Sequence, residues 1–175
     1  MLDGREQIKA LLKRFEEAYH RKNLDGIDRF VEANFIEESP VYYGTSGLEQ
    51  FVGREQIAHL LYLDWKEWGI LSFNYDQMQI HATDDFGDFI TTASLEWEIP
   101  EDIRFQRMVD DVKAVANSTN VTRAQIERLA LKLAYGIGEM AEGEVHRYDL
   151  RVSGAVQKVD GLWKFTSIHM SESNI

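Results

Sequence analysis

The run Val145-His146-Arg147-Tyr148-Asp149-Leu150-Arg151-Val152-Ser153-Gly154-Ala155-Val156, the turn Lys158-Val159-Asp160-Gly161 and the run Leu162-Trp163-Lys164-Phe165-Thr166-Ser167-Ile168-His169-Met170-Ser171 together decide the fold. Asp-Gly between two stretches of apolar and β-branched residues predicts a hairpin, because Gly tolerates the positive φ that a tight connection needs. The chain opens on helical spacing and ends on this hairpin. That order predicts an α+β fold, a curved antiparallel sheet wrapped by N-terminal helices with a cleft between them. Any function is expected in the cleft rather than in a motif.

Working outward, Asp3 with Glu6 forms a capping pattern. Ile8, Leu11, Leu12, Phe15 and Tyr19 then recur at helical spacing. Asn23-Leu24-Asp25-Gly26 ends that helix, and Ile27, Phe30 and Val31 mark a short second one. Phe35-Ile36 and Val41-Tyr42-Tyr43 read as extended around Pro40, and Gly44 to Gly53 as a loop. A third helix is predicted from Arg54 to Trp68, with Ile57, Leu60, Leu61, Trp65 and Trp68 on its apolar side and Gly69 as its stop. Strands are predicted over Ile70 to Ala82 and Asp88 to Ile99, where Thr91, Ala93, Leu95 and Trp97 alternate with polar residues. Residues 101–143 return to helical spacing as an insertion. Thr122 and Gln125 form a capping box there, and Gly136, Gly138 and Gly143 mark a loosening end.

Composition narrows the function. At 175 residues the chain reads as a single domain, 1–175, able to bury about 70% of the surface its unfolded form exposes. Net charge is −11, from 19 basic and 30 acidic side chains. Such a surface repels phosphate backbones and anionic lipid, so neither nucleic acid nor a membrane is expected as partner. The absence of cysteine removes disulfides, thiolate nucleophiles and cysteine metal sites. His20, His59, His81, His146 and His169 show no paired ligand spacing, so no metal and no cofactor is expected. No apolar run is long enough for a signal peptide or a membrane span, which predicts a cytoplasmic protein and makes the acceptor patterns at Asn117 and Asn120 inert. Nucleophile-elbow, Walker and dinucleotide fingerprints are absent.

Three passages carry a resemblance. They are the first helix running into Asn23-Leu24-Asp25-Gly26-Ile27; Gly44-Thr45-Ser46-Gly47-Leu48-Glu49 followed by Gly53-Arg54-Glu55; and Gly161-x-Trp163 leading to His169-x-Ser171. In this order they resemble the SnoaL-like branch of the nuclear transport factor 2-like (ketosteroid isomerase-like) superfamily. The resemblance implies a cone-shaped domain with a pocket at its open end, and a homodimer through the outer sheet face. It leaves activity open, since such folds serve isomerases, cyclases, dehydratases and non-catalytic modules. Ketosteroid isomerase uses a carboxylate base with a Tyr and a neutral Asp as oxyanion donors. Matching those three positions lands on Phe15, Ser39 and Ser153, none of which can do that work.

The same matching implies that Arg151, Ser153 and Asp149 face the pocket with Thr166, Ile168 and Met170, and that Leu95 and Trp97 join them. Trp163, Phe165 and His169 would then lie outside with Tyr148, Leu150, Val152 and Val156, an apolar face that a second subunit would cover. Three groups are candidates for acid–base catalysis. Asp64, on the edge of the third helix's apolar stripe, would be a raised-pKa base if buried, or a solvated helix shoulder if not. Glu38 lies one residue from the isomerase base position, and His169 is of a residue type suited to acid–base work near neutral pH, or else a hydrogen-bonded interface or core histidine. Phe15, Tyr19, Tyr43, Trp65, Trp68, Phe73 and Trp97 would wall a pocket for a small hydrophobic molecule, or simply fill the core. Arg151, Ser153 and Met170 complete the ligand-binding set, Arg151 serving as an anchor for an anion or carbonyl or as a cross-strand ion pair. Two readings follow. One is a pocket protein for a small apolar molecule, with isomerase, dehydratase or cyclase chemistry; the other is a non-catalytic dimerisation or interaction module.

Overall fold

Asp160 and Gly161 both take positive φ, 51° and 77°, and Val159 pairs with Leu162 across them. The predicted turn is therefore a two-residue hairpin loop whose twist suits the long strands on either side. The computed structural model describes residues 3–45, 49–142 and 145–172. In chain order the elements are α1 (Gly4–Arg21), a 3-10 turn (Leu24–Gly26), α2 (Ile27–Asn34), β1 (Val41–Tyr43), β2 (Gln50–Val52), α3 (Arg54–Glu67), β3 (Ile70–Phe73), β4 (Gln79–Ala82), β5 (Phe86–Glu98), α4 (Glu101–Ala116), α5 (Arg123–Glu142), β6 (Val145–Val159) and β7 (Leu162–Glu172). The sheet runs β2-β1-β7-β6-β5-β3, with β4 paired to β5. It is mixed, because β1 lies parallel to β7. The chain divides into two compact units, Met1–Leu95 with Tyr148–Ile175, and Glu96–Arg147.

In the first unit, helices α1 and α2 pack on the sheet. Ile8, Leu11, Leu12, Phe15 and Tyr19, the stripe expected on α1, are all buried. Each such side chain contributes roughly 1.5–3 kcal/mol on burial. This outweighs the cap, since Asp3 makes no side-chain capping bond and only its backbone carbonyl accepts from the Gln7 amide. Lys22 closes the helix in the left-handed conformation at φ 48°. At the start of α3, the Arg54 guanidinium donates to the carbonyls of Ile36 and Phe35 at 3.0 and 2.8 Å. It ties the α2–β1 connection to the helix that carries Asp64.

Several expectations need correction. The Gly44–Gly53 stretch contains β2, paired antiparallel with β1, and Ile70–Ala82 is two strands rather than one. Residues 101–143 form a helical pair, in which α5 continues through Gly136 and Gly138 while Gly143 lies outside the described residues. The Thr122–Gln125 box is formed reciprocally, Thr122 N donating to Gln125 Oε1 at 2.8 Å and Gln125 N to Thr122 Oγ1 at 3.3 Å.

The largest correction concerns the faces of the hairpin. Leu150, Val152 and Val156 are buried, whereas Asp149 and Arg151 are exposed. The apolar face assigned to a second subunit is thus covered within the chain. On β7, Trp163 and Phe165 are buried, and so are Ile168 and Met170. Both sets face inward because the register shifts: Val156 pairs with Phe165 but Ala155 with Ser167, leaving Thr166 as an extra residue. Such a bulge reverses the side-chain alternation along one strand while its partner continues unchanged. Gly154 faces Ile168 next to this step. A Cβ there would stand 2.6 Å from the Phe89 ring and closer still to the Ser167 carbonyl. Gly154→Ala should therefore destabilise the fold by about 1–3 kcal/mol in urea unfolding, the usual cost of overpacking. A neutral effect would contradict this packing.

Candidate functional site

Helix α3 carries Ile57, Leu60, Leu61, Asp64 and Trp65 on one buried face. The helical spacing that brings the apolar residues inward brings the carboxyl with them. Asp64 is only 5% exposed. Tyr19, from α1, donates to Asp64 Oδ2 at 2.6 Å. The Tyr19 hydroxyl lies 3.4 Å from that of Tyr42 on β1, and Tyr42 donates to Met170 Sδ on β7 at 3.2 Å. Four elements thus converge on one polar line inside the core.

Rings enclose this line. Phe15 lies 5.2 Å from the Tyr19 ring centroid and 6.5 Å from that of Tyr42. Trp65 meets Tyr19 edge-on at 6.3 Å. Burial pushes the Asp64 carboxyl up to about 7; the Tyr19 hydrogen bond pulls against that shift and the charge of nearby Glu49 adds to it. Tyr19 and Tyr42 are pushed up as well, first by burial and then by the Asp64 charge.

Proton counting shows what the line can do. With Asp64 ionised, Tyr19 donates to the carboxylate, and the Tyr42 proton serves either the Tyr19 oxygen or the Met170 sulfur. With Asp64 neutral, Asp64 can donate to Tyr19, Tyr19 to Tyr42 and Tyr42 to Met170, so that every hydroxyl proton has an acceptor. The array accommodates both charge states without moving a heavy atom. Asp64 Oδ1 takes no hydrogen bond among the described residues.

Asp64, Tyr19, Phe15, Trp65 and Met170 are thus brought together, each of them buried in the core. Phe73 is buried against Phe15 at 6.4 Å. The others lie elsewhere. Glu38 is exposed between α2 and β1. His169 is exposed and meets Tyr43, itself 41% exposed, at 5.9 Å on the outer side of the sheet. Ser153 pairs with His169 on that side, and Arg151 pairs with Ser171, so the expectation that Arg151 and Ser153 line the interior is overturned by their register. Trp68 is half-buried beyond the end of α3, its carbonyl accepting from Lys22 Nζ at 2.5 Å. Trp97 belongs to the second unit, where its ring lies 5.9 Å from His146. In that unit the buried Arg104 donates to the Ile99 carbonyl and contacts His146 Nε2. Among the described residues no cluster of three or more His, Asp or Glu could hold a metal ion, and no helix is long and apolar enough to cross a membrane.

Sequence reasoning missed Tyr42 and Glu49. The available signal for Tyr42 was the Tyr42-Tyr43 pair, of which a strand turns only one inward. Glu49 sits in a stretch read as loop, and nothing in its spacing links it to Asp64.

No protein-family model and no curated protein matches the sequence. Solved structures do match. A protein from Streptomyces avermitilis called a "putative dehydratase from the NTF2-like family" superposes with TM-score 0.62 at 12% identity, covering 98% of this chain and 96% of that one. A "putative calcium/calmodulin dependent protein kinase II association domain" from Xanthomonas campestris gives 0.61 at 13% identity over 98% and 89%. An NTF2-like protein of unknown function from Pseudomonas putida gives 0.57 at 13% over 95% and 84%. The fold is NTF2-like.

A pH dependence of stability follows. An aspartate titrates near ~3.9 in the unfolded chain and Asp64 near about 7 in the folded one. Between those values the folded chain keeps a proton that the unfolded chain has lost, so Asp64 lowers stability progressively as pH rises from about 4 to 7, and no further above that. The full effect is on the order of 4 kcal/mol. The stability of Asp64→Asn relative to the wild type should therefore rise as pH goes from ~4 to ~7 in urea titrations and level off above that; a pH-independent difference would contradict the buried carboxyl.

Proposed function

We propose that this chain is a SnoaL-like pocket protein that binds a small, largely apolar organic molecule and moves a proton on it through Asp64. The single observation that carries this reading is a carboxyl 5% exposed, bonded to a phenol at 2.6 Å and poised near neutrality. General acid–base groups work best when their pKa lies near the working pH, and burial is the usual means of bringing a carboxyl there. The surrounding rings would favour an apolar substrate. Ionised Asp64 would accept a proton from a carbon next to a carbonyl through its unbonded oxygen. The resulting acid would return that proton to a second carbon, completing an isomerisation, or to a departing hydroxyl, completing a dehydration with release of water. Tyr19 holds the carboxyl in place and supplies it with a hydrogen bond while it is ionised. Neither the Tyr nor the Asp of the ketosteroid isomerase oxyanion site has a counterpart at Phe15 and Ser153, so the chemistry would rest on Asp64 and the phenols alone. The structural neighbour called a "putative dehydratase" is compatible with this class of reaction and identifies no substrate.

A second reading, a non-catalytic dimerisation or interaction module, is favoured by a different observation. Ile103 and Phe105 on α4 and Ile126 and Leu131 on α5 are 46–62% exposed. It no longer draws support from the hairpin, whose apolar side is internal.

The experiment that tests the first reading is deuterium uptake by the α-carbons of cyclohexenone and tetralone in heavy water, followed by NMR. The wild type should accelerate exchange of at least one ketone, with a rate that rises through about pH 7 as Asp64 ionises. Asp64→Asn should lose about 100-fold or more of that acceleration. Exchange at the buffer rate for both ketones, or an unchanged rate in Asp64→Asn, would contradict it.

A further inference from the structure

A second site lies in the first unit, in the groove where α1, the 3-10 turn, α2 and Trp65 of α3 meet. Its volume is about 290 Å³, and Arg14, Arg21, Asn23, Phe30, Asn34 and Trp65 are among its walls. That is close to the lower end of the roughly 300–1,000 Å³ range in which small-molecule sites fall.

The charges in the groove are unequal. Arg21 is held by Glu17 at 3.0 Å, an exposed pair one helical turn apart. Arg14 has no such partner: among the described residues its guanidinium donates only to Asn34 Oδ1, at 3.3 Å. Partial burial lowers the Arg14 pKa, an environment that penalises an uncompensated cation. Asn34, 5% exposed, is fixed from the other end by its own Nδ2, which donates to the Phe30 carbonyl at 2.7 Å. A neutral amide oxygen thus orients the guanidinium but does not neutralise it. The remaining N–H donors stand ready for a planar, two-oxygen acceptor, the geometry a guanidinium matches best.

The apolar wall points to the rest of the ligand. Phe30 and Trp65 meet edge-on at 5.5 Å. Trp65 is 3% exposed, and its Nε1 has no hydrogen-bond partner among the described residues. A buried donor without an acceptor is uncommon, and this one belongs to a residue that lines the groove. With two arginines against one glutamate, the three charged walls sum to +1, on a chain whose net charge is −11. The groove is thus locally cationic on an acidic chain.

We propose that this groove is a binding site for a small aromatic or cyclic carboxylate, its carboxylate seated on Arg14 and its ring against Phe30 and Trp65. The site shares Trp65 with the rings around the Asp64–Tyr19–Tyr42 line, but its charged groups are different ones and it does not depend on proton transfer at Asp64. It would give the protein a place to hold an organic anion, whether effector or product.

The test uses benzoate as the probe, on the full chain, by calorimetry and by the indole N–H resonance of Trp65 in proton–nitrogen NMR. Benzoate should bind saturably and shift that resonance. Arg14→Gln should weaken binding about 10- to 100-fold, the range for losing a charged hydrogen-bond partner. Asp64→Asn should bind like the wild type, which separates this groove from the internal site. Benzamide, with the same shape and no charge, should bind at least about tenfold more weakly. Absence of saturable benzoate binding, undiminished binding by Arg14→Gln in a variant whose spectrum stays folded, loss of binding in Asp64→Asn, or equal affinity for benzamide would each overturn the proposal.

Discussion

A carboxyl group carried on the inner face of a helix into a nest of aromatic rings must either lose its charge or find donors. Asp64 is held between these two solutions. Tyr19 gives it one short hydrogen bond, which is less than the two or three donors that keep buried carboxylates firmly ionised. Desolvation therefore prevails and the group is left near neutrality. The arrangement around it follows from that balance. Tyr42 and Met170 extend the hydrogen-bonded line so that the array can be filled in either protonation state, and Arg54 fastens α3 to the preceding connection at the correct height.

Two turns of backbone geometry place these residues. The Asp160-Gly161 loop sets the register of the long hairpin, and the extra residue at Thr166 changes which side of β7 faces the helices. Before the bulge Trp163 and Phe165 point inward; after it Ile168 and Met170 do. Without that step the strand could not serve both the packing under α1 and the sulfur acceptor for Tyr42. Gly154, opposite the bulge, leaves the space that Phe89 occupies. Local irregularity here produces the site rather than interrupting it.

Legibility in the sequence tracked the range of the interaction. The stripe Ile8–Tyr19, the alternation through Thr91, Ala93 and Leu95, the hairpin loop and the Thr122–Gln125 box all depend on neighbours a few residues away, and all were readable. The faces of the terminal hairpin were not. A family match that slips by one residue exchanges the two faces, and a bulge cannot be seen in a pattern that is apolar on both sides of it. Arg151 and Ser153 were misassigned for the first reason, Trp163 and Phe165 for both. In the candidate site, Asp64, Tyr19, Trp65 and Phe15 stood out as types at helical spacing, and Met170 entered only through the family resemblance. Tyr42 and Glu49 were not, because their role arises from contacts across the sheet and loop that no short-range pattern records. The Arg14 groove was invisible for the same reason, since Arg14 and Asn34 are twenty residues apart.

The proposed chemistry depends on the protonation state of one internal carboxyl, and that can be observed directly. Carbon NMR of the protein labelled at aspartate carboxyl carbons, with the Asp64 signal identified by its loss in Asp64→Asn, follows the group through pH. The expected midpoint is about 7; a midpoint at the ordinary aspartate value of about 3.9 would contradict a carboxyl held by burial.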